Sequence, residues 1–172
     1  MSVSDKNFNS IKVHTQYSIC EGAIKIDELA DYCKANKIKS LGLADSYNLC
    51  GALEFSEKLS KVGTQAIIGT QINLKAKGVI GKITLYAITE EGYKNLTKLS
   101  SKSYLDSSQI DDPYCDINDL IQNNKDLILL SGSYLNFFGK LYNKNKLKDI
   151  EEILSALKKN FNDDRLYIEI QR

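Results

Sequence analysis

Histidine is almost absent from this 172-residue chain, and His14 is its only one. That scarcity excludes a zinc-type cluster held on several imidazoles, because carboxylates would have to supply most of the ligands. Arginine is nearly as scarce, limited to Arg165 and Arg172, and the formal net charge is +1. Tight phosphate-backbone binding draws on a concentrated basic face, and bidentate recognition favours guanidinium, so a nucleic-acid-binding module acting alone is excluded. No uninterrupted apolar run approaches ~18 residues, which argues against a membrane-spanning helix. The polar stretch from Met1 to Asn9 lacks the basic start and apolar core of a secretory signal. Cys20, Cys33, Cys50 and Cys115 form no CxxC pair, so zinc ribbons and redox motifs are poorly supported, and small thiols in a reducing cytoplasm are expected. The glycines form neither a Gly-x-Gly-x-x-Gly run nor a P-loop, and Ser131-Gly132-Ser133 reads as a strand-end turn rather than a nucleophile elbow.

What is present is a steady alternation of strand-like and helix-like segments. Ile11–Val13 reads as a short strand. Ile26–Asn36 reads as a helix with Ile26, Leu29, Ala30 and Cys33 on one stripe. Ser40–Asp45 is strand-like and ends on a carboxylate. Asn48 is placed to cap a helix running to Lys61. Gln65–Leu74 and Ile83–Thr89 read as strands flanking a turn marked by Gly78 and Gly81, and Gly92–Leu105 as a helix. The polar stretch Asp106–Asp116, with the only proline (Pro113), reads as a loop. After it come a short helix at Ile117–Gln122, a strand at Leu127–Leu130, helices at Leu135–Leu141 and Leu147–Phe161, and a strand at Leu166–Ile170. Strand–helix pairs of this length predict an α/β fold with mainly parallel strands covered by outer helices. Residues 1–9 read as a tail and 10–172 as one domain. Six strands fall short of a closed barrel, so the expectation is a domain truncated at its C-terminus.

In α/β barrels, chemistry gathers at the C-terminal ends of the strands. His14 follows the first strand, Glu21 lies in the next loop, Asp45 ends the second strand and Gln71 lies in the third. These four are expected to converge on one mouth. Each also has a purely structural alternative: Asp45 could cap a turn, Glu21 could be solvated, and His14 could be a hydrogen-bonder at the edge of the core.

Five segments carry a resemblance. They are Val13-His14-Thr15-Gln16-Tyr17-Ser18-Ile19-Cys20-Glu21-Gly22-Ala23, Leu43-Ala44-Asp45-Ser46-Tyr47-Asn48-Leu49-Cys50-Gly51-Ala52-Leu53-Glu54-Phe55, Ile67-Ile68-Gly69-Thr70-Gln71, Gly92-Tyr93-Lys94-Asn95-Leu96-Thr97-Lys98-Leu99, and Leu127-Ile128-Leu129-Leu130-Ser131-Gly132. In this order they resemble the N-terminal PHP (polymerase and histidinol phosphatase) domain of bacterial DNA polymerase III alpha subunits, over Phe8 to Arg172. The resemblance implies a distorted TIM-like barrel. It also implies a parent chain that carries out template-directed nucleotidyl transfer with magnesium in a region outside these residues. Within such a parent the domain would support the polymerase core and hold the proofreading exonuclease subunit, with DNA reached only through the holoenzyme.

Departures from the metal-binding pattern of that family set the chemical expectation. Where metal-competent relatives carry His-x-His, this chain has Lys12 and His14. Where they carry Asp-His, it has Asp45-Ser46, and Gln71 stands at a glutamate position. Glu21 keeps the acidic character. The six positions Lys12, His14, Glu21, Asp45, Ser46 and Gln71 are therefore read as a vestigial metal pocket, with no catalytic residue and no metal expected. An ammonium has no lone pair for a cation, so Lys12 is expected to replace the metal's charge by pairing with Glu21 or Asp45. A scaffold role is favoured. The alternative is a residual metal-dependent phosphoesterase, pyrophosphatase or 3′–5′ exonuclease using His14, Glu21 and Asp45.

Overall fold

The computed structural model describes residues 9–105, 107, 112–162 and 164–170. The expected tail therefore lies outside the described residues apart from Asn9, as does most of the stretch from 106 to 111. Helix α1 (Ile26–Asn36) leads into strand β1 (Ser40–Ser46), and α2 (Ala52–Lys61) returns the chain to β2 (Gln65–Ala76). Then come β3 (Val79–Ala87), α3 (Glu90–Leu105), β4 (Tyr114–Asp116), α4 (Ile117–Gln122), β5 (Leu127–Leu130), α5 (Phe137–Asn143), α6 (Leu147–Asn160) and β6 (Leu166–Tyr167). No helix among the described residues is long and apolar enough to cross a membrane.

The strands form one six-stranded sheet in the order β1-β2-β3-β5-β6, with β4 paired to β2. The β1–β2, β2–β4 and β5–β6 pairings are parallel, as the strand–helix alternation predicts. β3 is antiparallel to both of its neighbours, because Lys77 and Gly78 close a two-residue hairpin between β2 and β3. Both hairpin residues have positive φ, 50° and 71°, the backbone that matches the right-handed twist of the flanking strands. β4 is a second departure from expectation: the stretch read as loop from Asp106 to Asp116 ends in a strand opposite Asn73–Lys75.

Apolar spacing explains the layering. Ile26, Leu29, Ala30 and Cys33 of α1 are all buried, and they pack with Ala52, Phe55 and Leu59 of α2 against Leu41 and Leu43. A larger cluster joins Ile72, Leu74, Ile83 and Leu85 of the sheet to Leu96, Leu99, Leu120, Phe137, Leu141, Ile153 and Leu157 of α3 to α6. α2 begins later than Asn48 would have placed it. Asn48 instead folds a turn onto the Cys50 N–H (3.0 Å) and donates to the Tyr17 and Ser46 carbonyls, so the helix starts at Ala52 without a side-chain cap. Cys33 and Cys115 are buried and Cys20 and Cys50 exposed, all four as free thiols, and burial pushes the Cys115 thiol up to about 12.

The segment read as a first strand pairs only locally, running parallel outside β1 through the Val13 N–H to Gly42 O and the Ala44 N–H to Val13 O bonds. At the opposite edge the expected strand Leu166–Ile170 is ladder-paired only over Leu166–Tyr167. The sheet curls enough for side chains to reach the first edge segment from the opposite edge and from the central strand β3. The Lys12 ammonium meets Glu169 Oε1 at 2.6 Å, and the Tyr86 hydroxyl donates to the Ile11 carbonyl at 2.6 Å. No backbone ladder closes the barrel among the described residues. Between the edges lies an apolar cavity of about 440 Å³ lined by Ile11, Ile67, Tyr86, Ile128, Leu130 and Ile168.

Candidate functional site

The C-terminal end of β1 delivers Asp45 into a fully buried position. Its carboxylate is enclosed by the loop that follows the edge segment. Oδ1 accepts from the Thr15 N–H and the Ser18 hydroxyl, both at 2.6 Å, and Oδ2 accepts from the Thr15 hydroxyl at 2.7 Å. The loop is shaped for this by its own turns: the Ser18 N–H bonds to Thr15 O, and the Glu21 and Gly22 N–H groups bond to Ser18 O. Thr15 pairs with Ile24 to close it. Gly22 lies so close that an added Cβ would sit 2.1 Å from Thr15 O. Asp45 thus holds the loop of Thr15 and Ser18 in place, a structural role different from the turn before Asn48 that the sequence offered it.

A row of polar side chains crosses the sheet beside Asp45. Ser46, Gln71 and Thr84 occupy facing positions on β1, β2 and β3. The Ser46 hydroxyl donates to Glu21 Oε2 at 2.6 Å, and Gln71 Nε2 donates to Thr84 Oγ1 at 3.1 Å. His14 Nδ1 lies 3.3 Å from Ser18 Oγ and 3.8 Å from Glu21 Oε2. Ser18 spends its only proton on Asp45, so this contact is served by the imidazole tautomer with hydrogen on Nδ1. His14, Glu21, Asp45 and Gln71, the four residues expected to converge, lie at one mouth, and Ser46 lies there with them.

Lys12 is not part of that cluster. Its predicted pairing with Glu21 or Asp45 is replaced by the Glu169 ion pair, because Lys12 lies on the edge segment beside the curled end of the sheet. The cation at the mouth is Lys82, which forms an ion pair with Glu21 and donates to Ser46 Oγ at 3.1 Å. Lys82 stands two residues before Thr84 on β3, and side chains two apart on a strand share a face. Reading β3 as starting at Ile83 left Lys82 outside the strand and hid this. Thr15 and Ser18 were also missed as the partners of Asp45, although both lie in the His14–Glu21 loop.

Burial shapes the charge states. The His14 imidazole is held below its ordinary value of 6.5, chiefly because burial disfavours the charged ring, and Lys12 and Lys82 push the same way against Glu21 and Asp45. Burial alone would raise the Glu21 carboxyl. The hydrogen bonds from Lys82 and Ser46 and the Lys82 charge outweigh it, leaving Glu21 below 4.5. For both groups the unfolded chain takes up a proton at a higher pH than the folded one, so each contributes stability that is present above the unfolded value and lost as pH falls. Urea unfolding should therefore show a plateau at neutral pH, a decline beginning near 6.5, and a further decline beginning near 4.5. A His14→Gln variant should lose the upper step while keeping the lower one. An unchanged upper step would assign it to another group.

Residues 10–172 match the PHP domain family. The chain belongs to the PHP domain family. Among curated proteins it is 34% identical to the DNA polymerase III subunit alpha of Caulobacter vibrioides, over 97% of this chain and 15% of the relative. It is 32% identical to that of Haemophilus influenzae, over 98% and 15%, and 29% identical to that of Escherichia coli K12, over 99% and 15%. This PHP chain thus spans about 15% of the length of the curated relatives it matches. Among solved structures, a "putative metal-dependent phosphoesterase" of Bifidobacterium adolescentis superposes with a TM-score of 0.52 at 10% identity, covering 88% of this chain and 83% of that one. The likeness establishes the shared fold.

The donors present at this mouth do not fit a metal ion. Both oxygens of Asp45 are taken by protein hydrogen-bond donors, Glu21 carries an ammonium and a hydroxyl, and Ser46 and Gln71 bring no charge. Among the described residues, no group of three or more His, Cys, Asp or Glu side chains is placed to hold an ion.

Proposed function

We propose that this PHP chain is a non-catalytic scaffold within a cytoplasmic DNA polymerase III alpha subunit, where it braces the polymerase core and the proofreading exonuclease subunit. Template-directed synthesis with magnesium belongs, in this reading, to the remainder of the alpha subunit, and DNA is reached through the assembled enzyme. Lys12, His14, Glu21, Asp45, Ser46 and Gln71 are the positions of a former metal pocket. The observation that carries the reading is Asp45. The Asp45 carboxylate, at the C-terminal end of β1, points inward and holds a loop, where a hydrolase would need it to face a metal-bound water.

The test is direct. The purified 172-residue chain is assayed for hydrolysis of a phosphodiester, of pyrophosphate and of 3′-labelled single-stranded DNA, with and without manganese, alongside elemental analysis of bound metal. Neither turnover above the buffer blank nor stoichiometric metal is expected. Hydrolysis that depends on manganese and is abolished by His14→Ala would overturn the scaffold reading and establish a phosphoesterase or exonuclease in its place.

A further inference from the structure

We infer that the Lys82 ammonium is the resident cation of the former metal pocket, doing electrostatically what a divalent ion would do there and keeping such an ion out. This rests on the scaffold reading above.

The geometry assigns the role to Lys82 rather than to the lysine at the position of a lost ligand. Lys82 extends from β3, and its side chain is 20% exposed. Its Nζ reaches the Glu21 carboxylate and Ser46 Oγ, and lies 4.9 Å from the centre of the Tyr47 ring. An ammonium has three N–H donors and no lone pair, and a carboxylate, a hydroxyl oxygen and an aromatic face all suit it. Ser46 completes the arrangement by accepting from Lys82 and donating its own O–H to Glu21.

A hard divalent cation would seek the same two oxygen donors, the Glu21 carboxylate and the Ser46 hydroxyl, with the Gln71 amide oxygen 3.5 Å from that hydroxyl. Any ion on Glu21 would sit against the ammonium and be repelled by it. Removing the ammonium leaves the Glu21 carboxylate, 39% exposed, without its counter-charge, a state that a divalent ion relieves.

Thermal unfolding of the full chain, in EDTA and in manganese chloride, tests this in four proteins. The native chain should melt at the same temperature in both media. Lys82→Met should melt about 2 °C lower in EDTA, the size expected when an ion pair with one exposed partner is lost, and should regain part of that loss in manganese. Lys82→Arg, which keeps a cation, should stay near the native midpoint and ignore manganese. Lys82→Met/Glu21→Gln, which removes both charges together, should be more stable in EDTA than Lys82→Met and also ignore manganese. If Lys82→Met fails to fold, the double variant should still fold. A Lys82→Met chain that melts like the native one, shows no response to manganese, or keeps that response once Glu21 is neutralised would overturn the role of Lys82. Manganese stabilisation of the native chain would instead overturn the scaffold reading itself.

Discussion

Asp45→Ala should be among the most destabilising single substitutions in this chain, costing about 4 kcal/mol and lowering the melting midpoint by roughly 8–16 °C. The side chain has no exposed surface and receives three hydrogen bonds, from the Thr15 N–H, the Thr15 hydroxyl and the Ser18 hydroxyl. Alanine would leave all three donors buried without an acceptor, each costing about 1–3 kcal/mol if nothing replaces the lost partner, with partial rescue by water expected. The effect should spread, because Ser18 also accepts the Ser46 N–H at 3.1 Å and the Thr15 hydroxyl accepts from the Tyr17 N–H at 3.3 Å. Asp45→Asn separates shape from charge. Its single acceptor oxygen can keep the Thr15 N–H and the Ser18 hydroxyl while the Thr15 hydroxyl turns to accept from the new amide, so a loss of only about 1–2 kcal/mol is expected. Chemical denaturation of both variants checks the ordering. If Asp45→Ala unfolds at the same denaturant concentration as the native chain, the buried acceptor role is wrong.

The same residue shows how far the sequence could be read. Asp45 at a strand end was visible, and so was its convergence with His14, Glu21 and Gln71, because strand ends in an α/β fold gather at one rim. The direction in which its carboxylate points was not visible. That depends on the approach of two residues, Thr15 and Ser18, which no periodicity encodes. Helices were the most legible elements: α1 and α4 match their predicted bounds because apolar spacing at 3.6 residues leaves little freedom. The hairpin was half legible. Gly78 marked the turn, yet strand direction depends on the length of the turn, and the two residues Lys77 and Gly78 force β3 antiparallel. Placing the start of β3 at Ile83 rather than Val79 removed Lys82 from the strand face that lines the mouth, and the family resemblance pointed to Lys12, at the position of a ligand histidine, as the pocket's cation. Lys12 in turn found Glu169, 157 residues away, through a curl of the sheet that local sequence does not specify.

That curl gives the second large effect. Gly42→Ala should cost about 3 kcal/mol or more, because the added methyl meets backbone rather than a yielding side chain. A Cβ at Gly42 would lie 2.0 Å from the Ile11 carbonyl oxygen and 2.6 Å from the Ile11 Cα, so the edge segment has to move away from β1. Three backbone bonds hold it there: Val13 N–H to Gly42 O, Gly42 N–H to Ser10 O, and Ala44 N–H to Val13 O. Displacing it also strains the Tyr86 hydroxyl bond from the central strand β3 to Ile11 O and the Lys12–Glu169 ion pair between the sheet edges. His14 is the next residue along, so its contact with Ser18 should shift as well. The prediction is a melting midpoint lowered by roughly 6–12 °C, with faster amide exchange at Gly42 and Ala44 than in the β2–β3 hairpin. The comparison that decides it is Gly78→Ala. An added Cβ there has nothing within 4 Å, and its cost comes only from a φ of 71°, about 1 kcal/mol. If the two variants melt together, the close approach of Ile11 to β1 is not what holds the first edge of the sheet in place.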